Sequence, residues 1–137
     1  MPTERVLEDF LGTWDIARTV THDGAPPAQF TGQGTWTAAG GGATYAETGL
    51  LQVAGATPMR AERRYRWGPD LAVWFEDGRF FHAVPATGGR AEHWCDPDRY
   101  IVNYDFSAWP TFDVTWDVRG PRKDYRMVSR FTRSAGP

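Results

Sequence analysis

The chain has 137 residues, of which 41% are hydrophobic, 15% aromatic and 23% charged, a composition typical of one globular domain with a sizeable core. Its formal net charge of −2 argues against nucleic acid and against an anionic membrane as partners. Cys95 is the single cysteine, which excludes an intramolecular disulfide, and the charged N-terminal residues lack the apolar run of a signal peptide. We therefore expect one domain over residues 1–137, in the cytoplasm.

Residues 3–11 carry apolar side chains at helical spacing, with Thr3 as the expected N-cap. Beyond them, apolar and polar residues alternate in short runs separated by Gly, Pro and Asp clusters, which indicates strands. The predicted strands are residues 12–20, 30–38, 43–51, 60–67, 71–76, 79–84, 90–95, 99–106, 112–118 and 123–132. Evenly spaced strands without intervening helices favour an up-and-down sheet that closes to remove its edges. We predict an all-β fold: a single antiparallel up-and-down β-barrel of about 8–10 strands with a short N-terminal helix.

The first of two informative hairpins is VWFEDGRFFH, residues 73–82. Its Asp77-Gly78 pair is a two-residue turn signal that places Glu76 opposite Arg79, facing water. Alternation then directs into the barrel Leu71, Val73, Phe75, Phe80, His82 and Val84. Carried to the two preceding strands, the same alternation gives an inward set of Tyr45, Glu47, Arg63, Tyr65 and Trp67.

The second hairpin is AEHWCDPDRYIVNYD, residues 91–105, with Pro97-Asp98 at the centre of its turn. This turn pairs Cys95 with Tyr100 and His93 with Val102. The inward set is then Ala91, His93, Cys95, Tyr100, Val102 and Tyr104. Large apolar residues on the outer faces of the two hairpins would form a patch that favours a homodimer: Trp74, Phe81, Trp94 and Ile101.

The last two strands differ in how well alternation defines them. In FDVTWDV, residues 112–118, alternation places Trp116 inside the barrel. The final strand allows two registers, with Asp117 opposite Lys123 or opposite Asp124. The choice decides which pair of side chains points inward, Tyr125 with Met127 or Arg126 with Val128.

The stretch FLGTW, residues 10–14, lies where the short helix meets the first strand. It resembles the G-x-W signature of calycins, the superfamily that includes lipocalins and fatty-acid-binding proteins. The resemblance implies that Gly12 and Trp14 close one end of the barrel and that an arginine of the final strand packs on the tryptophan. Arg130 is the first candidate for that arginine and Arg133 the second. The chain as a whole is similar to a bacterial family of small, functionally uncharacterised calycin-like proteins.

The resemblance extends to the fold but not to a known ligand. Fatty-acid-binding proteins insert two lid helices after the first strand, for which residues 21–29 are too few, and their R-x-Y anion motif is replaced here by DYRMVSR. The barrel haem proteins called nitrobindins have G-x-W-x-G-x-G, whereas this chain reads GTWDIAR. We therefore expect no cofactor.

The inward positions suggest a binding cavity, because several polar groups converge there with aromatic side chains. In the simplest interpretation these polar groups only form hydrogen bonds and ion pairs with one another, with Glu47 paired to Arg63 on the next strand. As a set, however, they favour a site for a small, flat, partly polar molecule. The predicted ligand-binding residues are Glu47, Arg63, Tyr65, Phe75, His82, His93, Tyr104 and Trp116.

Two further hypotheses use the same residues. In the first, the chain is a cofactor-independent enzyme of isomerase, cyclase or hydro-lyase type, in which His82 or His93 acts as acid or base, Glu47 orients it and Tyr104 donates a hydrogen bond. In the second, a metal site forms if the loop at residues 85–90 sets the two histidines opposite each other, with Cys95 two positions further along. Otherwise Cys95 is an inert buried thiol, because nothing beside it is expected to lower its pKa.

Overall fold

The described part of the chain, residues 3–135 of a computed structural model, consists of one short helix and ten antiparallel strands. Each predicted strand is confirmed to within two residues at either end. Strong alternation explains this agreement, because a strand that is buried on one face repeats its apolar positions every second residue. The elements are α1 (Leu7–Phe10), β1 (Gly12–His22), β2 (Ala28–Ala39), β3 (Gly42–Val53), β4 (Met59–Trp67), β5 (Ala72–Phe75), β6 (Phe80–Ala83), β7 (Gly89–Cys95), β8 (Asp98–Asp105), β9 (Phe112–Arg119) and β10 (Asp124–Arg133).

The strands form one up-and-down sheet that curls into a nearly closed barrel, as predicted. Their order is β6-β5-β4-β3-β2-β1-β10-β9-β8-β7, so consecutive strands pair everywhere except between β6 and β7, and β1 also pairs with β10. Within the described residues, β6 and β7 approach each other without forming a ladder of hydrogen bonds. We call this junction between β6 and β7 the seam. The described helix is too short to cross a membrane.

The N-terminal helix is shorter than predicted. It consists of one turn, Leu7–Phe10, and its N-cap is Val6 rather than Thr3. The backbone N–H of Arg5 donates to the carbonyl of Ala86 at 2.7 Å, which holds the residues before the helix against the loop that follows β6. This bond competes with helical pairing, so the apolar periodicity from residue 3 onward overstates the helix.

Trp14, which the calycin resemblance implies closes one end of the barrel, is packed where α1 meets β1. Its side chain is fully buried and its Nε1 donates to the carbonyl of Phe10 at 2.8 Å. The arginine that packs on Trp14 is Arg133, whose guanidinium carbon lies 4.0 Å from the ring centroid. Arg133 also donates to the Leu11 carbonyl at 2.7 Å, which ties the last strand to the end of the helix.

The preference for Arg130 over Arg133 was wrong, and the strand register gives the reason. Trp14 lies directly opposite Arg133 on β10, whereas Arg130 lies opposite Ala17 and points outward to bond Asp113 at 2.9 Å. Gly12 lies against the same arginine: its φ is +110°, and a Cβ there would lie 3.1 Å from the Arg133 guanidinium.

The hairpin of β5 and β6 departs from the predicted register. Val73 lies opposite His82 as predicted, but Trp74 lies opposite Phe80, so Phe81 is an extra residue in a β-bulge. A bulge shifts the alternation by one residue. As a result Phe81 is 1% exposed and Phe80 is 46% exposed, and the predictions of an inward Phe80 and an outward Phe81 were both wrong.

The hairpin of β7 and β8 has the predicted faces in a shifted register. His93 lies opposite Tyr100, rather than opposite Val102, and Cys95 lies opposite Asp98. A shift by two residues moves each partner but keeps every side chain on its face. The inward set therefore stands, with Tyr100, Val102 and Tyr104 buried and Ala91, His93 and Cys95 half-buried.

The register of β10 selects one of the two predicted faces. Arg126, and neither Lys123 nor Asp124, lies opposite Asp117, and their side chains bond at 3.2 Å. Met127 is buried and Tyr125 half-buried, so this pair points into the barrel.

Candidate ligand cavity

A cavity of about 50 Å³ lies inside the barrel, between the end that contains Trp14 and the opposite, open end. We call it the inner cavity. Its walls are mainly aromatic, and its polar side chains are those of Arg18, Tyr45, Glu47, Arg63, Tyr65, His82, Tyr104 and Ser129. Six of the eight predicted ligand-binding residues line it: Glu47, Arg63, Tyr65, His82, Tyr104 and Trp116.

The other two predicted residues, Phe75 and His93, do not line the inner cavity. They lie nearer the open end, with the Phe75 ring stacked on Phe81 at 4.6 Å between centroids and His93 at 5.4 Å from the same ring. The bulge accounts for this arrangement, because it turns the Phe81 side chain into the barrel beside Phe75 and His93. Alternation alone would have placed Phe81 on the outer face.

Glu47 is the centre of a buried ionic cluster. Arg18 binds it with both terminal nitrogens, at 2.6 and 3.1 Å, and the Tyr45 hydroxyl donates to it as well. The Nε of Arg18 donates to the Ser129 hydroxyl at 2.7 Å. Burial raises the pKa of Glu47, but the hydrogen bonds and charge of Arg18 outweigh burial and hold that pKa below its usual value.

Arg18 is the main partner of Glu47, whereas the sequence predicted Arg63. Arg63 does lie opposite Glu47 in the ladder of β3 and β4, yet its Nε is 3.9 Å from the carboxylate. Arg18 reaches Glu47 across β2. Gly34 of β2 lies opposite Glu47 and leaves room for the Tyr45 hydroxyl, since a Cβ at Gly34 would lie 2.6 Å from that oxygen. In GTWDIAR, alternation from Trp14 onward indicates that Arg18 points into the barrel. It does not indicate which residue Arg18 contacts.

His82 and Tyr104 form a second polar pair in the wall of the inner cavity. The His82 Nε2 and the Tyr104 hydroxyl are 2.8 Å apart, and both side chains are buried. Burial lowers the pKa of His82 to about 4, with a smaller contribution from His93, and burial raises the pKa of Tyr104. Both groups are therefore neutral near pH 7. The Nδ1 of His82 has no hydrogen-bond partner among the described residues.

The alternative hypothesis of a metal site is not supported by the geometry. His82 bonds Tyr104, His93 packs on Phe75 and Phe81, and the Cys95 sulfur lies 3.8 Å from Arg79. Since β6 and β7 form no ladder at the seam, the two histidines are not opposed as assumed. No group of three or more His, Cys, Asp or Glu side chains within residues 3–135 is arranged to hold a metal ion.

A larger cavity of about 350 Å³ opens at the end of the barrel opposite Trp14. We call it the outer cavity. It shares Arg18, Glu47, Arg63 and Met127 with the inner cavity, and these four side chains lie between the two. Its remaining walls are mostly apolar, including Val20, Phe30, Leu51, Val53, Ala61 and Tyr125. Sequence reasoning missed this cavity, because strands far apart in the chain meet there only when the barrel closes.

The barrel is similar to the S-type phycobiliprotein lyase CPES from Guillardia theta, with a TM-score of 0.67 over 96% of this chain and 92% of that one. The two sequences are 7% identical, so this likeness shows a calycin-like fold and nothing finer. No curated protein matches the sequence. The model of a family of unknown function, DUF6314, matches residues 10–133, nearly the whole described chain. The chain therefore belongs to the family of unknown function DUF6314.

Proposed function

We propose that this protein binds a small, partly aromatic molecule inside its barrel. The observation that carries the proposal is the buried His82, which lines an aromatic cavity and has an unpartnered Nδ1 among the described residues. A buried polar atom without a partner is costly, and a ligand that bonds to it would remove that cost. A barrel of this size holds either packed side chains or one small ligand, and the likeness to a phycobiliprotein lyase supports the same use of the fold.

The proposed site consists of two cavities of different size. The inner cavity, at about 50 Å³, has room for a small group only, whereas the outer cavity, at about 350 Å³, is in the range of ordinary ligand pockets. The body of the ligand therefore occupies the outer cavity, and a polar end points towards the inner cavity, where Arg63, His82 and Tyr104 lie. Arg63 and Met127 lie between the cavities, and both have long side chains that adjust by rotation about several bonds.

A fluorescent probe and a matched pair of substitutions test the proposal. The neutral probe N-phenyl-1-naphthylamine gains fluorescence in apolar sites, so its binding reports on the outer cavity. We expect Ala61→Phe, which fills that cavity, to weaken probe binding by about tenfold, since it removes most of the contact area. Ala46→Phe makes the same change on the exposed face of β3 and serves as control.

The result that would overturn the proposal is equal probe binding by the two variants, or no probe binding by the wild type. Circular dichroism and melting temperature show whether Ala61→Phe keeps the fold. Native mass spectrometry of gently purified protein is a second measurement, since a mass that is retained and then released on denaturation identifies the natural ligand directly.

A cofactor-independent enzyme of isomerase, cyclase or hydro-lyase type is the second candidate. The observation in its favour is the bonded pair of His82 and Tyr104 beside a cavity. The lowered pKa of His82, about 4, weakens this candidate, because a general base works best with a pKa near the operating pH. Binding is therefore the function that the site supports better.

A further inference from the structure

The charges that meet between the two cavities are not balanced. Arg18 uses its two terminal nitrogens on Glu47 and its Nε on Ser129, all at 3.1 Å or less. Arg18 and Glu47 thus neutralise each other and satisfy their hydrogen bonds. Arg63 is a second guanidinium beside the same carboxylate, so the cluster as a whole carries one positive charge.

Arg63 makes only long contacts with the described residues around it. Its guanidinium nitrogens lie 3.4 Å from the Tyr65 hydroxyl, 3.7 Å from the Met127 sulfur and 3.9 Å from Glu47. Its charge also lies over the Trp116 ring, at 5.5 Å from the centroid. The side chain is 38% exposed and lines both cavities. A planar donor group is therefore held at the floor of the outer cavity without a strong acceptor.

The surroundings of Arg63 favour an anion with an apolar body. The walls of the outer cavity are mostly apolar. Glu62 also borders it, but its carboxylate is 48% exposed and bonds Arg60 at 3.2 Å. An anionic group at Arg63 would therefore meet one unneutralised positive charge and no unneutralised carboxylate among the described residues of the cavity wall.

We infer that the ligand is an amphipathic organic anion whose single carboxylate, or similar group, pairs with Arg63 while its apolar body contacts Phe30 and Leu51 in the outer cavity. The inference rests on the proposed function and narrows it to one class of ligand. Arg63 supplies parallel N–H donors that match a carboxylate or sulfonate, and Trp116 and Tyr65 hold the guanidinium in place.

Two probes with the same aromatic body separate the charge from the cavity. The anion 1-anilinonaphthalene-8-sulfonate carries a sulfonate that N-phenyl-1-naphthylamine lacks. We expect Arg63→Gln to weaken binding of the anionic probe by about tenfold or more and to change binding of the neutral probe by less than about twofold. Arg66→Gln removes the same charge from the exposed face of the same strand and should affect neither probe.

Each outcome is decisive. A selective loss of the anionic probe in Arg63→Gln supports the inference. Unchanged binding of the anionic probe, or an equal loss of both probes, overturns it and leaves the proposed function standing, because the neutral probe still reports a cavity in the wild type. Failure of both probes to bind the wild type overturns the inference and the proposed function together. Unfolding curves of the two variants show that the comparison is between folded proteins.

Discussion

A single buried histidine gives the barrel a pH-dependent stability. The pKa of His82 is about 4 in the folded protein because the ring is buried, compared with 6.5 for an unperturbed histidine. As the pH falls from 6.5 towards 4, the unfolded chain takes up a proton at this residue and the folded chain does not. The folded state therefore loses stability on acidification over this range, by about 3 kcal/mol in total from His82.

We expect His82→Gln to remove most of this pH dependence. Urea unfolding, followed by tryptophan fluorescence between pH 7 and pH 4, gives the free energy of unfolding of each protein. The difference between wild type and His82→Gln in the pH dependence of this free energy gives the contribution of His82. Carboxylates such as Glu47, whose pKa is lowered, are present in both proteins and cancel in the comparison. His22→Gln is the control, since His22 is exposed. The same slope in wild type and His82→Gln would show that His82 is not held neutral by burial.

The residues of the site show what a sequence can and cannot indicate. Alternation places Glu47, Arg63, His82 and Tyr104 on the inner face, because a one-residue change of face would expose the core of each strand. It does not indicate which inward groups bond to each other. Arg18 and Glu47 lie on strands that are separated by β2, so their pairing appears only in three dimensions.

At the scale of elements, the β5–β6 hairpin shows why strands are easier to predict than their faces. Its two strands lie where the sequence places them, but one additional residue in β6 reverses the alternation at its start. The signal from Asp77-Gly78 gives the turn and not the bulge. Elsewhere, in β7 and β8, the register error was an even number of residues and therefore left the faces correct.

A pair of neighbouring substitutions measures the effect of this bulge. We expect Phe81→Ala to lower the free energy of unfolding by about 3–5 kcal/mol, because the ring is 1% exposed and packs on Phe75 and His93. Phe80→Ala should cost about 1 kcal/mol or less, since its ring is 46% exposed. Urea unfolding of the two variants makes the comparison. The opposite ranking would support the register predicted from the sequence, which has no bulge and places Phe80 inside the barrel.

At the scale of the whole molecule, the outer face retains an apolar patch in altered form. Trp74 is 38% exposed and Trp94 is 64% exposed, as the predicted patch requires. Phe80, which contacts Trp74, takes the place of the buried Phe81 in that patch. The homodimer remains a prediction. Trp74 and Phe80 belong to the strands that approach the seam from one side and Trp94 to the strand on the other.

The seam is where we expect the barrel to open. Among the described strands, β6 pairs only with β5 and β7 only with β8, whereas β1 is paired on both sides. Amides near unpaired edges exchange through small local openings, which cost less free energy than the openings that expose a strand paired on both sides. We expect residues 80–83 and 89–95 to exchange hydrogen at least about tenfold faster than the middle of β1, as measured by hydrogen–deuterium exchange with mass spectrometry. If the two edge strands and β1 exchange equally slowly, the seam is as tightly closed as the ladders. In that case a ligand enters only through the open end, into the outer cavity, and only its polar end reaches Arg63 and Met127.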